Sequence, residues 1–127
     1  MTVAIGTTDA HAKNHSFVRH PDGARLNLAP AHDVSMHEPT TVSSGRLALE
    51  VAGKDTIASI VVDDLVDEGR SWGMAPRRAQ RVVAQNLQAI GDALADLDRG
   101  AQPGVPAEAW ENVEQRLGRL AGQLPRL

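Results

Sequence analysis

The sequence predicts a mainly α-helical fold with one or two small β-hairpins near the N-terminus. Apolar residues recur at helical spacing after residue 60, whereas short apolar runs separated by turn residues lie before it. The chain contains one Phe, two Trp and no Tyr. Its core must therefore be built from aliphatic side chains, which suits packed helices better than sheets. A length of 127 residues is enough for one domain.

The composition excludes several classes of function. A net charge of −3 offers no basic surface for direct nucleic-acid binding. The absence of cysteine excludes disulfides, thiolate metal sites and a cysteine nucleophile. The N-terminus lacks the basic and apolar regions of a signal peptide, and no stretch approaches the roughly 18 apolar residues of a membrane span. We therefore expect a soluble cytoplasmic protein without a membrane contact.

Two hairpins are predicted in the first half of the chain. The segments HSFVR and RLNLA flank HPDGA, in which Pro-Asp-Gly favours a turn, so residues 15–19 and 25–28 are expected to pair. A second and less regular pattern spans residues 46–57, where LALEV and DTIASI lie on either side of AGK.

The first predicted helix of the second half follows residue 60. It has Val62, Leu65 and Val66 on one side and ends near Gly69 or Gly73. A run of acidic residues in the same helix is expected to form its solvated face, because the spacing places them away from the apolar side. The run consists of Asp63, Asp64, Asp67 and Glu68.

Two longer helices are predicted after it, beginning at Pro76 and Pro106 and separated by the loop AQPGVP. Each carries one apolar stripe with alternating spacings of three and four residues. The stripes consist of Val83, Leu87, Ile90, Leu94 and Leu97, and of Trp110, Val113, Leu117, Leu120 and Leu124. Two such stripes across a short loop predict an antiparallel helical hairpin. A coiled-coil dimer is the alternative, but each stripe is only about two heptads long.

The stretch TTDAHAKNHS, residues 7–16, has almost nothing apolar to bury. Phosphoryl transfer to a hydroxyl needs a carboxylate beside the attacking oxygen, a cation near the γ-phosphate and an oxygen donor for Mg²⁺. In protein kinases the loop H-R-D-x-x-x-x-N supplies the base and a magnesium-binding Asn five residues apart. Asp9 and Asn14 have that spacing, and a hairpin and then Asp33 follow in the kinase order.

Simpler explanations exist for the same residues. Taken singly, Asp9 and Asn14 are explained as turn residues that cap local backbone groups. Asp9 with His11 and His15 is also a possible metal site, although this spacing is a weak metal signal. The sequence order of Lys13, hairpin and second aspartate favours phosphoryl transfer over both alternatives.

The segments GTTDAHAKNHSF and LAPAHDV resemble the C-terminal lobe of HipA-type serine/threonine kinases, the toxin members of bacterial toxin–antitoxin pairs. That family carries a T-D-x-H-x-K-N catalytic loop and then an Asp in a P-x-x-D-hydrophobic context. The resemblance covers most of the chain and is densest over residues 5–35. It implies a protein-kinase-like C-lobe fragment over residues 1–127. Residues 1–45 would hold the catalytic loop, hairpin and metal-binding Asp, residues 46–60 a possible second hairpin, and residues 61–127 the helical part.

The resemblance also implies a role for each matching residue. Asp9 would be the general base that accepts the proton of a substrate serine or threonine. Asn14 and Asp33 would hold Mg²⁺ between the phosphates of ATP. Lys13 would lie near the transferred phosphate, and His11 would orient the loop or touch the nucleotide. The nucleotide-binding set would be His11, Lys13, Asn14, His32 and Asp33, with His32 only in the lining.

The chain departs from the kinase pattern in several ways. His32 stands where the family commonly has an aromatic residue, and no Phe-Gly follows Asp33. The 127 residues contain no G-x-G-x-x-G pattern, and their only lysines are Lys13 and Lys54. The loop that covers the phosphates and the lysine that fixes them are therefore expected from elsewhere.

Three hypotheses follow. In the first, the chain is the C-terminal part of a split kinase and is completed by a partner chain that supplies the N-terminal lobe. In the second, it is a folded but catalytically silent remnant. In the third, it is a binding module that regulates a toxin–antitoxin pair by contacting the kinase or its helix-turn-helix antitoxin.

Overall fold

The computed structural model describes residues 1–32, 34–36 and 44–124. These residues form four α-helices and four short strands, joined by 3-10 helices at Ala12–Asn14, Ile57–Ser59 and Arg99–Ala101. In chain order they are α1 (Thr2–Ile5), β1 (Phe17–Arg19), β2 (Leu26–Leu28), β3 (Arg46–Val51), β4 (Lys54–Thr56), α2 (Val62–Ser71), α3 (Pro76–Asp96) and α4 (Ala107–Ala121). The predicted class, mainly α-helical with small hairpins, is confirmed.

The first hairpin lies on the surface. β1 and β2 pair antiparallel, with Phe17 opposite Leu28. The Asp22 carboxylate closes the turn by accepting the Ala24 N–H at 3.0 Å, as expected for an Asx turn. Every strand residue is exposed, and Phe17 keeps 69% of its surface accessible. The hairpin therefore projects beside the loop that precedes it and contributes little to the core.

The second hairpin is present with a different turn. β3 and β4 pair around Ala52 and Gly53, which both have positive φ, and Lys54 belongs to β4. The Ile57 N–H donates to the Gly45 carbonyl at 2.9 Å, and the chain then enters a 3-10 helix instead of continuing as a strand. As a result Ile57 and Ile60 lie fully buried in the core.

Helices α2 and α3 pack closely at a glycine. A Cβ added to Gly69 would lie 3.3 Å from Cβ of Ala79 and 3.5 Å from Sδ of Met74. Of the two helix ends that the sequence offers, the helix passes through Gly69, and Gly73 follows its end with φ 86°. Gly69 is therefore a close-contact residue, and Gly73 supplies the left-handed conformation after the helix.

Helices α3 and α4 form the predicted antiparallel hairpin. Gly91 of α3 lies opposite Leu117 of α4. Arg99, which follows Gly91 in the chain, forms an ion pair with Glu114, which precedes Leu117. The order of the contacts is therefore reversed between the two segments, as in antiparallel helices. The Arg99 guanidinium also lies 5.7 Å from the centre of the Trp110 ring, within cation–π range. The connection between the helices is thus held by polar contacts while their inner faces share the core.

The core is aliphatic and is contributed by several elements. The α4 stripe is buried most completely, at Trp110, Val113, Leu117 and Leu120. The α3 stripe is shallower, since only Leu87 of it is fully buried and Leu97 lies past the end of the helix. The main cluster also takes side chains from α1, α2 and the 3-10 helix between β4 and α2, including Val3, Ile57, Ile60, Val62 and Val66. None of the described helices is long and apolar enough to cross a membrane.

Candidate functional site

The predicted catalytic loop starts from an anchored backbone. α1 ends at Gly6, whose φ of 83° is readily adopted only by glycine. Thr7 is 1% exposed, and its hydroxyl donates to the Ser35 carbonyl at 2.7 Å. The Ala48 N–H of β3 donates to the Thr8 carbonyl at 2.8 Å. The polar residues that follow therefore emerge from a fixed position on the surface.

Asp9 is exposed, with 64% of its side chain accessible. Its Oδ1 lies 2.8 Å from Nδ1 of His11, a contact by distance that lacks the alignment of a hydrogen bond. The contact is an ion pair only when the imidazole is protonated. The exposure of Asp9 leaves its carboxylate accessible to solvent or a substrate.

Lys13 and Asn14 lie on the 3-10 helix that follows. The Asn14 N–H donates to the His11 carbonyl at 3.0 Å, and the His15 N–H donates to the Ala12 carbonyl at 3.1 Å. Lys13 is exposed and Asn14 is half-buried. Because this tight turn lies between Asp9 and Asn14, the polar groups of the stretch are gathered over a short length of the backbone.

The chain returns to the loop after the first hairpin. The Ala29 N–H donates to the Ser16 carbonyl at 2.8 Å, and Nε2 of His32 lies 3.3 Å from the Ser16 hydroxyl oxygen. The Ser35 carbonyl then accepts the Thr7 hydroxyl, as described above. Asp33, the second predicted magnesium ligand, lies outside the described residues and is flanked in sequence by these two contacts.

The structure groups the predicted residues unevenly. Asp9 and His11 are in contact, Lys13 and Asn14 follow on one turn, and His32 lies at the far end of the loop. Asp9, His11 and His15 do not gather as the alternative metal site, and Nδ1 of His15 lies 3.3 Å from the His11 carbonyl. Within the part of the chain that the structure describes, no three His, Asp or Glu side chains gather as a metal-binding group.

Two residues of the acidic run in α2 are structural and do not form a solvated face. Oδ2 of Asp64 accepts hydrogen bonds from Nζ of Lys54 and from the Val61 N–H, both at 2.8 Å. Glu68 accepts the Ala52 N–H at 2.7 Å. Helical spacing cannot reveal these contacts, because all three partner groups belong to the neighbouring hairpin or to the residue before the helix.

The surroundings of Asp64 also change its acidity. Partial burial alone would raise the pKa of the Asp64 carboxyl. The hydrogen bonds from Lys54 and Val61, together with the Lys54 charge, outweigh that effect and hold the pKa below its ordinary value. The ionised form therefore stabilises the start of α2.

Sequence reasoning missed Arg116 of α4. Its side chain is buried, with 8% exposed, and its guanidinium lies against the start of the catalytic loop. A Cβ added to Gly6 would lie 2.6 Å from Nη1 of Arg116. Position 116 is three residues after Val113 and four before Leu120, so it lies on the buried side of the helix. That spacing is the one sequence signal that points to it.

The family comparison covers the loop and most of the fold. The family model of the HipA-like C-terminal domain matches residues 1–94, which include the loop, both hairpins, α2 and all but the last two residues of α3. Helix α4 lies outside the match. No curated protein and no solved structure matches the chain. Because the match covers 94 of the 127 residues, the chain belongs to the family of HipA-like C-terminal domains.

Proposed function

We propose that this chain supplies the catalytic loop of a HipA-like serine/threonine protein kinase, which transfers the γ-phosphoryl group of ATP to a protein hydroxyl. The observation that carries the proposal is the exposed Asp9 carboxylate at the head of a tight turn that bears Lys13 and Asn14. Membership in the HipA-like family supports the same assignment. The reaction draws on cytoplasmic ATP, in agreement with the location expected from the sequence.

Asp9 is the general base in this proposal. With Oδ1 against His11, Oδ2 takes the proton of the substrate serine or threonine. The hydroxyl oxygen forms its bond to the γ-phosphorus while the bond from that phosphorus to the β,γ-bridging oxygen breaks, and ADP leaves. His11 is a positioning residue, because its ring limits the rotation of the carboxylate without reaching the substrate.

Mg²⁺ is the metal that the donor set fits. The Asn14 carboxamide and the Asp33 carboxylate offer hard oxygen ligands, which Mg²⁺ prefers together with phosphate oxygens and water. The metal supplies charge neutralisation on the phosphates when it is bound. Asn14 would hold the ion from the turn that follows Asp9, so that one loop would carry both a metal ligand and the base.

Lys13 and His32 are the residues that would contact the nucleotide. The exposed Lys13 ammonium faces solvent one residue before Asn14 and offsets the negative charge of the transferred phosphoryl group. His32, held near Ser16, lines the opposite end of the loop. Neither residue is placed to act as the base, because Lys13 is cationic and His32 lies far along the chain from Asp9.

A nucleotide-binding lobe is needed to complete the site. The apolar surface of the first hairpin, formed by Phe17, Leu26 and Leu28, is exposed next to the loop, and we propose that this lobe contacts it. The lobe supplies the phosphate-covering loop and the phosphate-binding lysine. It belongs either to the same polypeptide or to a partner chain.

The test is calorimetry of the 127-residue chain with ATP, in the presence and absence of Mg²⁺. We expect weak binding that requires Mg²⁺, loss of that binding in Asp33→Ala, and retention in Asp9→Asn, since the base does not hold the nucleotide. Asp22→Ala, which removes an exposed carboxylate in the hairpin turn, is the matched control and should bind as the original chain does.

The outcomes separate the kinase hypothesis from the regulatory-module hypothesis. Magnesium-dependent binding that disappears only in Asp33→Ala supports the kinase site. ATP binding that depends neither on Mg²⁺ nor on Asp33 contradicts the proposed kinase site. No binding at millimolar nucleotide, together with tight binding to an intact HipA-type kinase or to a helix-turn-helix antitoxin, would favour the regulatory module instead.

A further inference from the structure

We infer that Arg116, on a helix outside the family match, is a positioning residue that fixes the start of the catalytic loop. The inference rests on the proposed function for its catalytic consequence, but its structural part stands on contacts between α4 and the loop. It assigns to residues 95–127 a role in the site as well as in the core.

The first argument is the contact itself. The Arg116 guanidinium fills the space beside Gly6 that a side chain would otherwise take, since an added Cβ would lie 2.6 Å from Nη1 and 3.3 Å from Cζ. Gly6 is the last residue before the anchored Thr7, and Asp9 follows two residues later. A planar guanidinium with five N–H donors is a stiffer support for such a turn than an aliphatic side chain.

Second, burying Arg116 is costly. The side chain is 8% exposed, and a buried guanidinium loses its hydration, which its contacts must offset. Its neighbour Arg119 instead donates to the Ile60 carbonyl at 2.8 Å, where it closes a gap between α4 and α2. The apolar stripe already packs α4 on the core without Arg116. The guanidinium therefore contributes a charged contact at the α1–Gly6 turn that the apolar stripe does not supply.

The third argument is electrostatic. The short helix α1 ends at Gly6, and the last carbonyl groups of a helix carry partial negative charge. A cation beside this end favours the helical turn and the left-handed Gly6 that follows it. The loop then leaves in the direction fixed by Thr7 and Thr8. Arg116 thus acts on Asp9 through the backbone, without touching a substrate.

The experiment compares Arg116→Met with Arg119→Met on the same helix, using amide hydrogen exchange. We expect the amides of Thr7 and Ala48, which donate to the Thr2 and Thr8 carbonyls, to exchange at least about tenfold faster in Arg116→Met than in Arg119→Met, as expected for the loss of a charged contact. The core amides should not distinguish the two variants. Arg116→Lys keeps the positive charge but lacks the planar guanidinium with its several N–H donors, and should recover part of the protection of the Thr7 and Ala48 amides from exchange. Equal acceleration in both Met variants would overturn the inference.

A second pair of variants covers the case in which Arg116→Met does not fold. Gly6→Ala and Gly73→Ala impose the same backbone strain, since φ is 83° and 86°, but only the first meets a guanidinium. We expect a larger fall of the urea midpoint and faster exchange of the Thr7 and Ala48 amides in Gly6→Ala. Identical behaviour of the two alanine variants would show that the Arg116 contact does not hold the loop.

Kinetics with a HipA-type nucleotide lobe separate this inference from the proposed function. If the original chain transfers phosphoryl groups, Arg116→Met should lower kcat about tenfold with little change in the KM for Mg²⁺-ATP, because Asp9 is misplaced while the nucleotide site remains. A change in KM alone would contradict the inference. If the original chain shows no transfer, the proposed function fails, and the exchange measurements alone decide the role of Arg116.

Discussion

Surroundings decide what each carboxylate of this chain does. Asp9 is exposed on a loop beside His11, so it contributes little to the stability of the fold. Asp64 accepts two hydrogen bonds at the start of α2 and has only 14% of its side chain exposed. The same residue type thus serves the proposed chemistry at one position and the structure at the other.

Replacing Asp9 with Asn tests the first of these roles. We expect phosphoryl transfer in the presence of a nucleotide lobe to fall by roughly 100- to 10,000-fold, the usual contribution of a general base. The free energy of unfolding should change by less than about 0.5 kcal/mol, as for most exposed positions. The measurements are transfer of labelled γ-phosphate and urea denaturation, with Asp22→Asn as the control. Undiminished transfer would remove Asp9 from the role of base.

Replacing Asp64 with Asn tests the second role. We expect the free energy of unfolding to fall by about 1–2 kcal/mol near neutral pH, because Lys54 and the Val61 N–H lose an ionised acceptor. Asp63→Asn changes the exposed neighbour in the same helical turn and should have a much smaller effect. Urea denaturation of both variants measures the difference. Equal losses would show that the Asp64 contacts are not specific.

The contribution of Asp64 also depends on pH, in a direction that its pKa fixes. The folded-state pKa lies below the ordinary value of 3.8, so ionisation of Asp64 favours the folded state. Its stabilisation is fully present above that ordinary value and is lost as the pH falls through the folded-state pKa. The stability difference between the original chain and Asp64→Asn should therefore shrink as acid is added below about pH 4.

The sequence motif predicts site residues, whereas helical spacing did not reveal the structural roles of other charged residues. Asp9, Lys13 and Asn14 are proposed because a motif with fixed spacing carries them within six residues; their roles stay a prediction. The structural roles of Asp64, Glu68 and Arg116 were not revealed, because their partners lie in other elements. A charged residue on a helix is normally solvated, so only knowledge of the neighbouring element reveals that it is buried or paired.

At the scale of elements, the helices followed from periodicity, whereas the role of each glycine did not. The stripes placed α2, α3 and α4 correctly, because aliphatic residues at helical spacing define a buried face. The same patterns could not distinguish a glycine that ends a helix from one that admits a neighbouring helix. Leu26 and Leu28 also alternate as a buried strand would, yet they are exposed in the described structure.

Two glycines inside helices should respond to substitution in opposite ways. Gly118→Ala meets nothing within 4 Å and should raise the free energy of unfolding by about 0.5–1 kcal/mol, because alanine restricts the unfolded chain. Gly69→Val should lower it by about 1–3 kcal/mol or more, because the larger side chain overlaps Ala79 and Met74. Thermal and urea denaturation measure both. Stabilisation by Gly69→Val would show that α2 and α3 separate easily.

At the scale of the whole molecule, the family match and the folding unit do not coincide. The match ends at residue 94, whereas α4 buries four apolar side chains of its stripe in the core. Arg119 donates to the Ile60 carbonyl, and Gln123 accepts the Val62 N–H at 2.9 Å. These contacts join α4 to the start of α2, so the unit that folds extends at least to residue 123.

Removing residues 97–127 should therefore abolish cooperative folding. The four buried side chains of the α4 stripe each contribute about 1.5–3 kcal/mol. Their loss approaches the roughly 5–15 kcal/mol that stabilises a whole domain. We expect the shortened chain to lose its sharp thermal transition in circular dichroism and to expose Ile57 and Ile60 to solvent, with binding of a hydrophobic dye.

The matched control removes a similar feature that lies outside the core. Replacing residues 17–28 with a short Gly-Ser linker deletes an exposed hairpin whose ends are already joined by the hydrogen bond from Ala29 to Ser16. Because these residues bury almost nothing, the thermal midpoint should change little. A cooperative transition in the chain without α4 would show that the matched segment folds alone. Loss of the transition in the chain without the hairpin would show that the hairpin is part of the folding unit after all. If the chain without the hairpin keeps its cooperative transition and the chain without α4 loses it, α4 belongs to the domain, where Arg116 can act on the catalytic loop.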